Sequence, residues 1–223
     1  MTASDHDVVV FGTGSFARAI QFYLDVDSDH RVVAFTATRE HVTGATFSNR
    51  PLVPFDTVAD SFPPQEHKMF VAVGYRRLNR LRARYYEAAK ALGYDLITYV
   101  SSKSVHWDDI VVGDNCCILE GTTIEPSVRI GNDVVLWSNN YVGHGSSVSD
   151  HCFIAPGVVI AGSTQIGRHC FVGVSATLRD GISVADGCLI GAGATILSDT
   201  APGEVYLGPR ATPYTGDTSR FLE

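Results

Sequence analysis

The feature that most constrains this chain is an aliphatic residue at every sixth position through its C-terminal half. The series runs without a gap from Val112 to Ile196 and contains fifteen residues. Such a period does not fit an α-helix, whose apolar positions return about every 3.6 residues, but it suits a short strand followed by a bend. Four residues after each aliphatic comes a position that is mostly small or β-branched. Each six-residue unit therefore points one large and one small side chain inward.

Three such units make a coil of 18 residues, and stacked coils form a three-sided parallel β-helix. At a spacing of about 4.8 Å, each strand pairs with the strand 18 residues further on. We predict five coils between about residues 106 and 200. Cys152, Cys170 and Cys188 are 18 residues apart, and Cys116 lies two coils before Cys152. These cysteines are expected to form an inward ladder of small apolar side chains and not a metal site.

The N-terminal part has a different pattern, in which apolar runs alternate with helical segments. VVVF (8–11) and MFVAV (69–73) are typical of buried strands, and SFARAIQFYLD and NRLRARYYEAAKAL are typical of helices. This alternation predicts a small, Rossmann-like parallel α/β sheet with crossover connections. We therefore predict an α/β domain at residues 1–102 and a β-helix domain with a C-terminal tail at residues 103–223.

A glycine turn, GTGSFA (12–17), follows the first predicted strand and opens the first helix. Gly12, Gly14 and Ser15 could cradle a phosphate there, because the N–H groups at a helix N-terminus attract anions. A tight strand-to-helix turn without a ligand is the alternative.

A second candidate follows MFVAV. We expect Gly74, Tyr75, Arg76 and Arg77 to begin the next helix, where the helix dipole and the guanidinium groups could receive a diphosphate. A solvated helical face is the alternative.

Composition narrows the possible partners. With 45% hydrophobic residues in 223, the chain can bury an ordinary core, and its net charge of -7 disfavours a nucleic-acid partner. It has no run of 18 apolar residues and no secretory signal, so we expect a cytoplasmic protein without membrane insertion. Five cysteines in such a chain are expected to be reduced thiols.

One histidine stands out in the repeat region. In YVGHGSS (141–147), His144 comes two residues after the inward Val142, so it lies at an edge of the β-helix. Its glycine neighbours leave space around the ring. A solvent-exposed turn histidine is the alternative. His151 and His169 are 18 residues apart, and we expect them to stack on the surface at another edge.

The gapless hexapeptide run, the opening glycine turn, VAVGYRRLNRLR and a Gly-His pair followed by APG resemble the left-handed β-helix sugar acetyltransferases. The likeness covers nearly the whole chain and is strongest to the sialic-acid O-acetyltransferases and the nucleotide-activated amino-sugar N-acetyltransferases. It implies a left-handed coil, whereas the general crossover rule predicts the opposite hand. It also implies a homotrimer with acetyl-CoA between neighbouring β-helices, and a sugar nucleotide held largely by the N-terminal domain.

The resemblance implies a role for several residues. His144 matches the catalytic histidine, which takes a proton from the attacking amine or hydroxyl. Gly162 matches the glycine whose backbone N–H stabilises the oxyanion. The backbone at Val174 and Ala192 matches positions that line the pantetheine groove. Arg210, in LGPRATPY (207–214), could meet the phosphates of CoA, and no metal is expected.

The group that orients His144 is left open by the sequence. A carboxylate often follows the catalytic histidine in the related enzymes, but Gly145 stands at that position here. Asn139, Asn140 or a group from a neighbouring subunit could hold the second ring nitrogen instead.

The sequence thus predicts an acetyl-CoA-dependent transferase that N-acetylates a nucleotide-linked amino sugar for surface-glycan biosynthesis, such as lipopolysaccharide O-antigen. Sugar O-acetylation is the first alternative. A trimeric, carbonic-anhydrase-like metal hydratase using His144, His151 and His169 is another, as is a non-catalytic trimerisation scaffold. A nicotinamide-linked oxidoreductase centred on GTGSFA is the last.

Overall fold

A computed structural model of the chain describes residues 6–213, 215 and 216. Three parts of the chain lie outside these residues: positions 1–5 and 217–223 at the outer ends of the two predicted domains, and Tyr214 of the LGPRATPY segment.

The N-terminal part forms a five-stranded sheet in the order β3-β4-β2-β1-β5. Strands β1, β2, β4 and β5 run parallel, as predicted, whereas β3 forms an antiparallel hairpin with β4. All five residues of β1 are buried, which explains the apolar run VVVF at residues 8–11. The strand bounds are β1 Asp7–Phe11, β2 Arg31–Ala37, β3 Thr46–Phe47, β4 Arg50–Pro54 and β5 Lys68–Val71.

Three α-helices accompany this sheet: α1 Ser15–Asp27, α2 Val58–Ser61 and α3 Arg80–Ala91. Helix α1 buries Ala17, Ile20 and Leu24, whose spacing places them on one face against the sheet. None of the helices in the described ranges combines the length and apolar character that crossing a bilayer requires.

The prediction that Gly74, Tyr75, Arg76 and Arg77 begin a helix is wrong. Helix α3 begins at Arg80, and the preceding Arg77, Leu78 and Asn79 have φ values of 54°, 52° and 63°. Three successive left-handed residues are costly unless neighbouring structure holds them. The buried side chain of Asn79 supplies such a hold, because its amide Nδ2 donates to the backbone oxygen of Cys170 at 2.9 Å.

The C-terminal part is a three-sided parallel β-helix, and we name its sheets faces A, B and C. Every strand pairs with strands one coil away, as Val142 does with Ile160 on face A. Face A comprises β7 Val105–His106, β10 Thr123–Ile124, β13 Tyr141–Val142, β16 Val159–Ile160, β19 Thr177–Leu178 and β22 Thr195–Ile196. Face B comprises β8 Val111–Val112, β11 Arg129–Ile130, β14 Ser147–Val148, β17 Gln165–Ile166 and β20 Ser183–Val184. Face C comprises β6 Tyr99–Val100, β9 Cys117–Ile118, β12 Val135–Leu136, β15 Phe153–Ile154, β18 Phe171–Val172, β21 Leu189–Ile190 and β23 Val205–Tyr206.

The β-helix is longer than the five predicted coils. It starts with β6, before the predicted domain boundary between residues 102 and 103, and ends with β23, which pairs with β21. The turns after faces A, B and C are named corners AB, BC and CA. Corner AB includes residues 143–146, corner BC residues 167–170 and corner CA residues 173–176, with equivalents in every coil.

The inward ladder of cysteines is confirmed. Cys116, Cys152, Cys170 and Cys188 are buried in the interior of the β-helix, and all five cysteines are free thiols. Cys152 donates from Sγ to the backbone oxygen of Gly167 at 3.0 Å. Burial raises the pKa of Cys116 to about 12, which makes that thiol unreactive at neutral pH.

The outer surfaces of the three faces differ in what covers them. The N-terminal domain covers face C, where Val135 and Phe153 share one apolar cluster with Val10 and Ile20. Face B points mostly polar residues outward, including Arg129, although Val111 at its first strand is 51% exposed. Face A leaves apolar side chains uncovered: Val105 is 62% and Val159 39% exposed.

Candidate functional site

His144 lies at corner AB, directly after strand β13, as the repeat predicted. Its side chain is 71% exposed, and its ring lies against Gly162 on the next coil. A Cβ atom on Gly162 would come within 2.7 Å of Cε1 of His144. Gly162 is therefore required by the close approach of the imidazole, and not by a turn conformation.

The group that orients His144 is Glu125. Its Oε2 accepts hydrogen bonds from the backbone N–H of His144 at 2.8 Å and from Nδ1 of the ring at 3.0 Å. A carboxylate only accepts, so Nδ1 carries the hydrogen and Nε2 keeps its lone pair. The hydroxyl of Tyr141 also bonds to Glu125. This bond is the largest cause that lowers the pKa of the Glu125 carboxyl, and the two bonds from His144 lower it further.

The asparagines proposed for this role lie elsewhere. Asn139 and Asn140 are at corner CA, and the buried amide of Asn140 donates to Trp137 O at 2.6 Å and accepts from Val158 N at 2.8 Å. The sequence signal that could have identified Glu125 is its spacing from His144. The two residues are 19 positions apart, which is one coil plus one position.

Three backbone N–H groups at the predicted acyl-transfer positions have no hydrogen-bond partner among the described residues. They belong to Gly162, Val174 and Ala192. Gly162 is beside His144 at corner AB. Val174 and Ala192 are one coil apart at corner CA, so a single chain does not bring them to His144.

Arg210 is exposed in the segment that follows β23. Gly208, two residues earlier, lies against the backbone of Ala192, so closely that a Cβ on Gly208 would overlap the Ala192 oxygen. The segment that carries Arg210 therefore leaves the β-helix at corner CA, on the side of Val174 and Ala192.

The two candidate phosphate-binding turns are neighbours, because β1 and β5 are adjacent parallel strands and both turns follow their carboxyl ends. Gly12 has a φ of +129°, and a Cβ there would lie 2.7 Å from Ala72 O, so chain packing alone requires this glycine. Gly14 is different: it is the N-cap of α1, and no atom lies within 4 Å of its Cβ position. The first turn of α1, starting at Ser15, is thus open to a ligand.

Tyr75 is 56% exposed and packs on the aromatic side chains of face C. Its ring centroid lies 5.1 Å from that of Phe153 and 4.9 Å from that of Phe171. Arg76 and Arg77 are exposed in the left-handed turn and make no ion pair within the described residues. The position of these arginines is set by this left-handed turn and not by a helix. They still lie next to the glycine turn at residues 12–17.

His151 and His169 do stack, with ring centroids 4.8 Å apart and planes at 19°. The expectation that both lie on the surface is wrong for His151, which is buried and bonded through Nδ1 to Asp133 Oδ2 at 2.9 Å. Both lie at corner BC, whereas His144 is at corner AB. Within the described ranges, no three metal-binding side chains come together.

Comparison with protein families identifies the class of the repeat. Residues 127–162 match the model of the bacterial transferase hexapeptide (six repeats), and residues 163–198 match that of the hexapeptide repeat of succinyl-transferase. Residues 127–198 therefore match hexapeptide repeats of bacterial transferases, and the predicted left-handed parallel β-helix is confirmed. Comparison with curated protein sequences gives no match.

Solved structures with this fold include three named proteins. A histidine-to-asparagine variant of perosamine N-acetyltransferase from Caulobacter crescentus, in complex with CoA and GDP-perosamine, has a TM-score of 0.82 and 23% identity, covering 91% of this chain and 93% of its own. The acetyltransferase domain of PglB from Neisseria gonorrhoeae FA1090, in complex with acetyl coenzyme A, has a TM-score of 0.82 and 22% identity, covering 95% and 100%. WeeI from Acinetobacter baumannii AYE has a TM-score of 0.63 and 17% identity, covering 85% and 93%.

Proposed function

We propose that this protein transfers the acetyl group of acetyl-CoA to the amino group of a nucleotide-linked sugar. The observation that carries the proposal is the arrangement of His144 between the Glu125 carboxylate and the free N–H of Gly162. The similarity to structures that contain CoA with GDP-perosamine, or acetyl coenzyme A, over more than nine-tenths of the chain supports both substrates.

We propose a role for each group in the reaction. The sugar amine attacks the thioester carbonyl while Nε2 of His144 accepts its proton, which is worth about 10²-fold to 10⁴-fold in rate. The Gly162 N–H stabilises the oxyanion of the tetrahedral intermediate, and loss of such a donor typically costs about 10²-fold to 10³-fold. The carbon–sulfur bond then breaks, and the thiolate of CoA takes a proton from the imidazolium of His144. Glu125 holds the ring in the tautomer that this sequence requires.

The acyl-donor site is completed in a homotrimer. Corner AB, with His144 and Gly162, and corner CA, with Val174 and Ala192, flank the same face A. If the exposed apolar side chains of face A turn toward identical copies, corner AB of one chain comes to lie beside corner CA of the next. We place the pantetheine arm in this groove, with Arg210 near the phosphates of CoA.

The acceptor is placed at the carboxyl edge of the N-terminal sheet. The open first turn of α1 at Gly14 and Ser15 suits a diphosphate, as do Gly74, Arg76 and Arg77 after β5. Tyr75 offers an exposed ring on which a base or sugar can pack.

Sugar O-acetylation is the second candidate function, because a neutral Nε2 can also deprotonate a hydroxyl. We propose a role in surface-glycan biosynthesis such as that of lipopolysaccharide O-antigen, and a cytoplasmic location, with which the five free thiols agree.

The proposal is tested with a panel of nucleotide-linked amino sugars and their hydroxyl analogues, mixed with acetyl-CoA and followed by release of free thiol. We expect turnover with at least one amino sugar and little with its hydroxyl analogue. Preference for the hydroxyl analogue would establish O-acetylation instead. Absence of thiol release across the panel would contradict both.

The His144→Ala variant is the internal control for the chemistry. It should remain folded, bind CoA and lose turnover by at least about 10²-fold, because only the proton acceptor is removed. Unchanged turnover would rule out His144 as the base.

A further inference from the structure

A cavity lies at corner BC, away from His144. It has a volume of about 570 Å³ and lies between the start of α3 and the last coils of the β-helix. Its walls include Arg80, Arg168, His169, Asp186, Gly187 and Gly203. None of these residues has a part in the proposed acetyl transfer.

The cavity exists because a column of stacked side chains at corner BC ends at a glycine. At one position of corner BC, successive coils carry side chains that stack upon one another, each with a positive φ between 52° and 61°. The next residue in the column is Gly187, at a φ of +70°, and a Cβ there would meet its nearest neighbour, Gly203, only at 4.0 Å. The space above the His169 ring is thus left open because Gly187 has no side chain to fill it. The column consists of Asn115, Asp133, His151, His169 and Gly187.

Two arginines and one aspartate line this space. Arg80 makes no ion pair with any described residue, and it is the first residue of α3, at the positive end of the helix dipole. Arg168 contacts Asp150 Oδ2 at 3.3 Å and stays half exposed. Asp186 lines the cavity too, but its Oδ1 is occupied by the backbone N–H of Arg168 at 2.7 Å.

His169 adds an unused polar atom. Its Nδ1 is buried and has no hydrogen-bond partner among the described residues, which is costly for an imidazole nitrogen. Burial is the largest cause that lowers the pKa of His169, and the charges of His151, Arg80 and Arg168 lower it further. The neutral ring forms one wall of the cavity, and an anion between the two arginines would offset their repulsion.

We propose that this cavity binds a phosphoryl group, held by the guanidinium groups of Arg80 and Arg168 with His169 beneath it. Arginine pairs suit the planar, two-oxygen edge of a phosphate. Bare phosphate would leave most of the volume empty, so the cavity has room for an organic group on the phosphoryl oxygen. The ligand is thus either free phosphate or a small phosphate ester.

The experiment is a calorimetric titration of the full chain at constant ionic strength, with inorganic phosphate in one arm and ribose 5-phosphate in the other. We expect saturable binding that weakens at least about tenfold in Arg80→Ala and in Arg168→Ala, because each removes a charge-assisted contact. Arg129→Ala, which removes an exposed arginine from face B, is the matched control and should bind like the wild type. Tighter binding of the ester identifies an esterified ligand, and equal binding identifies free phosphate.

A filling substitution tests the site without removing any charge. Gly187→Asn restores a side chain that the same column tolerates at Asn115, so the protein should fold and lose phosphate binding. His144→Ala should bind phosphate normally, which separates this site from acetyl transfer. The proposal is overturned by the absence of saturable binding to the wild type, by unchanged binding in Gly187→Asn or in both arginine variants, or by loss of binding in His144→Ala.

Discussion

Glu125 and His144 are joined by two hydrogen bonds to a single carboxylate oxygen, one from the backbone N–H at 2.8 Å and one from Nδ1 at 3.0 Å. The first bond fixes the corner and the second fixes the ring, so one residue of the preceding coil determines both the position and the tautomer of the proposed base. Because the carboxylate comes from another coil, the pair forms only when the β-helix is in register.

Replacing Glu125 by glutamine should lower kcat about tenfold or more with little change in the KM for acetyl-CoA. The glutamine keeps the size of the side chain but removes the charge that stabilises the imidazolium. Steady-state kinetics over a pH range measures both constants. Glu204→Gln is a matched control, since Glu204 accepts from Tyr206 Oη and Ala201 N without contacting a histidine. An equal loss in both variants would contradict a specific role for Glu125.

Gly162→Ala should reduce turnover by about 10²-fold while leaving the melting temperature nearly unchanged. The new methyl group would sit 2.7 Å from Cε1 of His144, and the exposed ring can yield by rotating away from its working position. Kinetics and a thermal melt, compared with Gly44→Ala, separate the two effects, because a Cβ on Gly44 meets nothing within 4 Å. Full activity in Gly162→Ala would show that the ring position is not critical.

Tyr141→Phe should raise the pKa of Glu125 toward its ordinary value. The hydroxyl of Tyr141 is the largest cause of the lowered pKa, so its removal weakens the preference for the charged form. A group with a depressed folded-state pKa adds stability above its unfolded pKa and loses it as the pH falls through the folded pKa. The variant should therefore lose the Glu125–His144 contact at a higher pH than the wild type.

Carbon NMR of the side-chain carboxyls follows this titration, and Glu125→Gln assigns the signal. Tyr206→Phe is the control, because Tyr206 plays the same part for Glu204 and should leave Glu125 unaffected. Identical Glu125 titrations in Tyr141→Phe and the wild type would contradict the prediction.

Arg82→Met should destabilise the fold by about 3–5 kcal/mol, the usual cost of leaving a buried charge without its partner. The guanidinium bonds Asp133 Oδ1 at 3.0 Å and the backbone oxygens of Asp133 and Cys152, and both charged side chains are buried. Denaturant unfolding measures the loss. Arg84→Met, on the exposed side of the same helix, should change stability by less than about 0.5 kcal/mol. Similar losses in the two variants would mean that the buried pair adds nothing specific.

Val159→Glu should convert the proposed trimer to a monomer of 24.0 kDa, because it puts a charge on the exposed apolar face A. Light scattering during size-exclusion chromatography measures the mass. Gln165→Glu introduces the same charge on face B and should leave the assembly intact. Dissociation in both variants, or in neither, would remove face A as the interface.

The sequence was sufficient for the three-sided coil of the β-helix, because its period directly records which side chains point inward, but it did not give the full number of coils. It also placed His144 at a corner, whereas Gly162 was named from the family resemblance, and its contact with the ring comes from the structure. It could not identify Glu125, since contacts between neighbouring coils depend on the direction of individual side chains. The left-handed turn at residues 77–79 was hidden for a related reason: Asn79 is held by the backbone of Cys170, 91 positions away, against its local preference.

The 18-residue pairing of the coils acts as a reading frame for the chemistry. A whole turn added beyond Ile196 would lengthen the prism and leave the imidazole where it is. A single residue added between Glu125 and His144 would carry the ring off its edge and part it from its carboxylate. Insertions and deletions are therefore tolerated only as complete 18-residue turns, because any other change in length shifts the register between neighbouring turns.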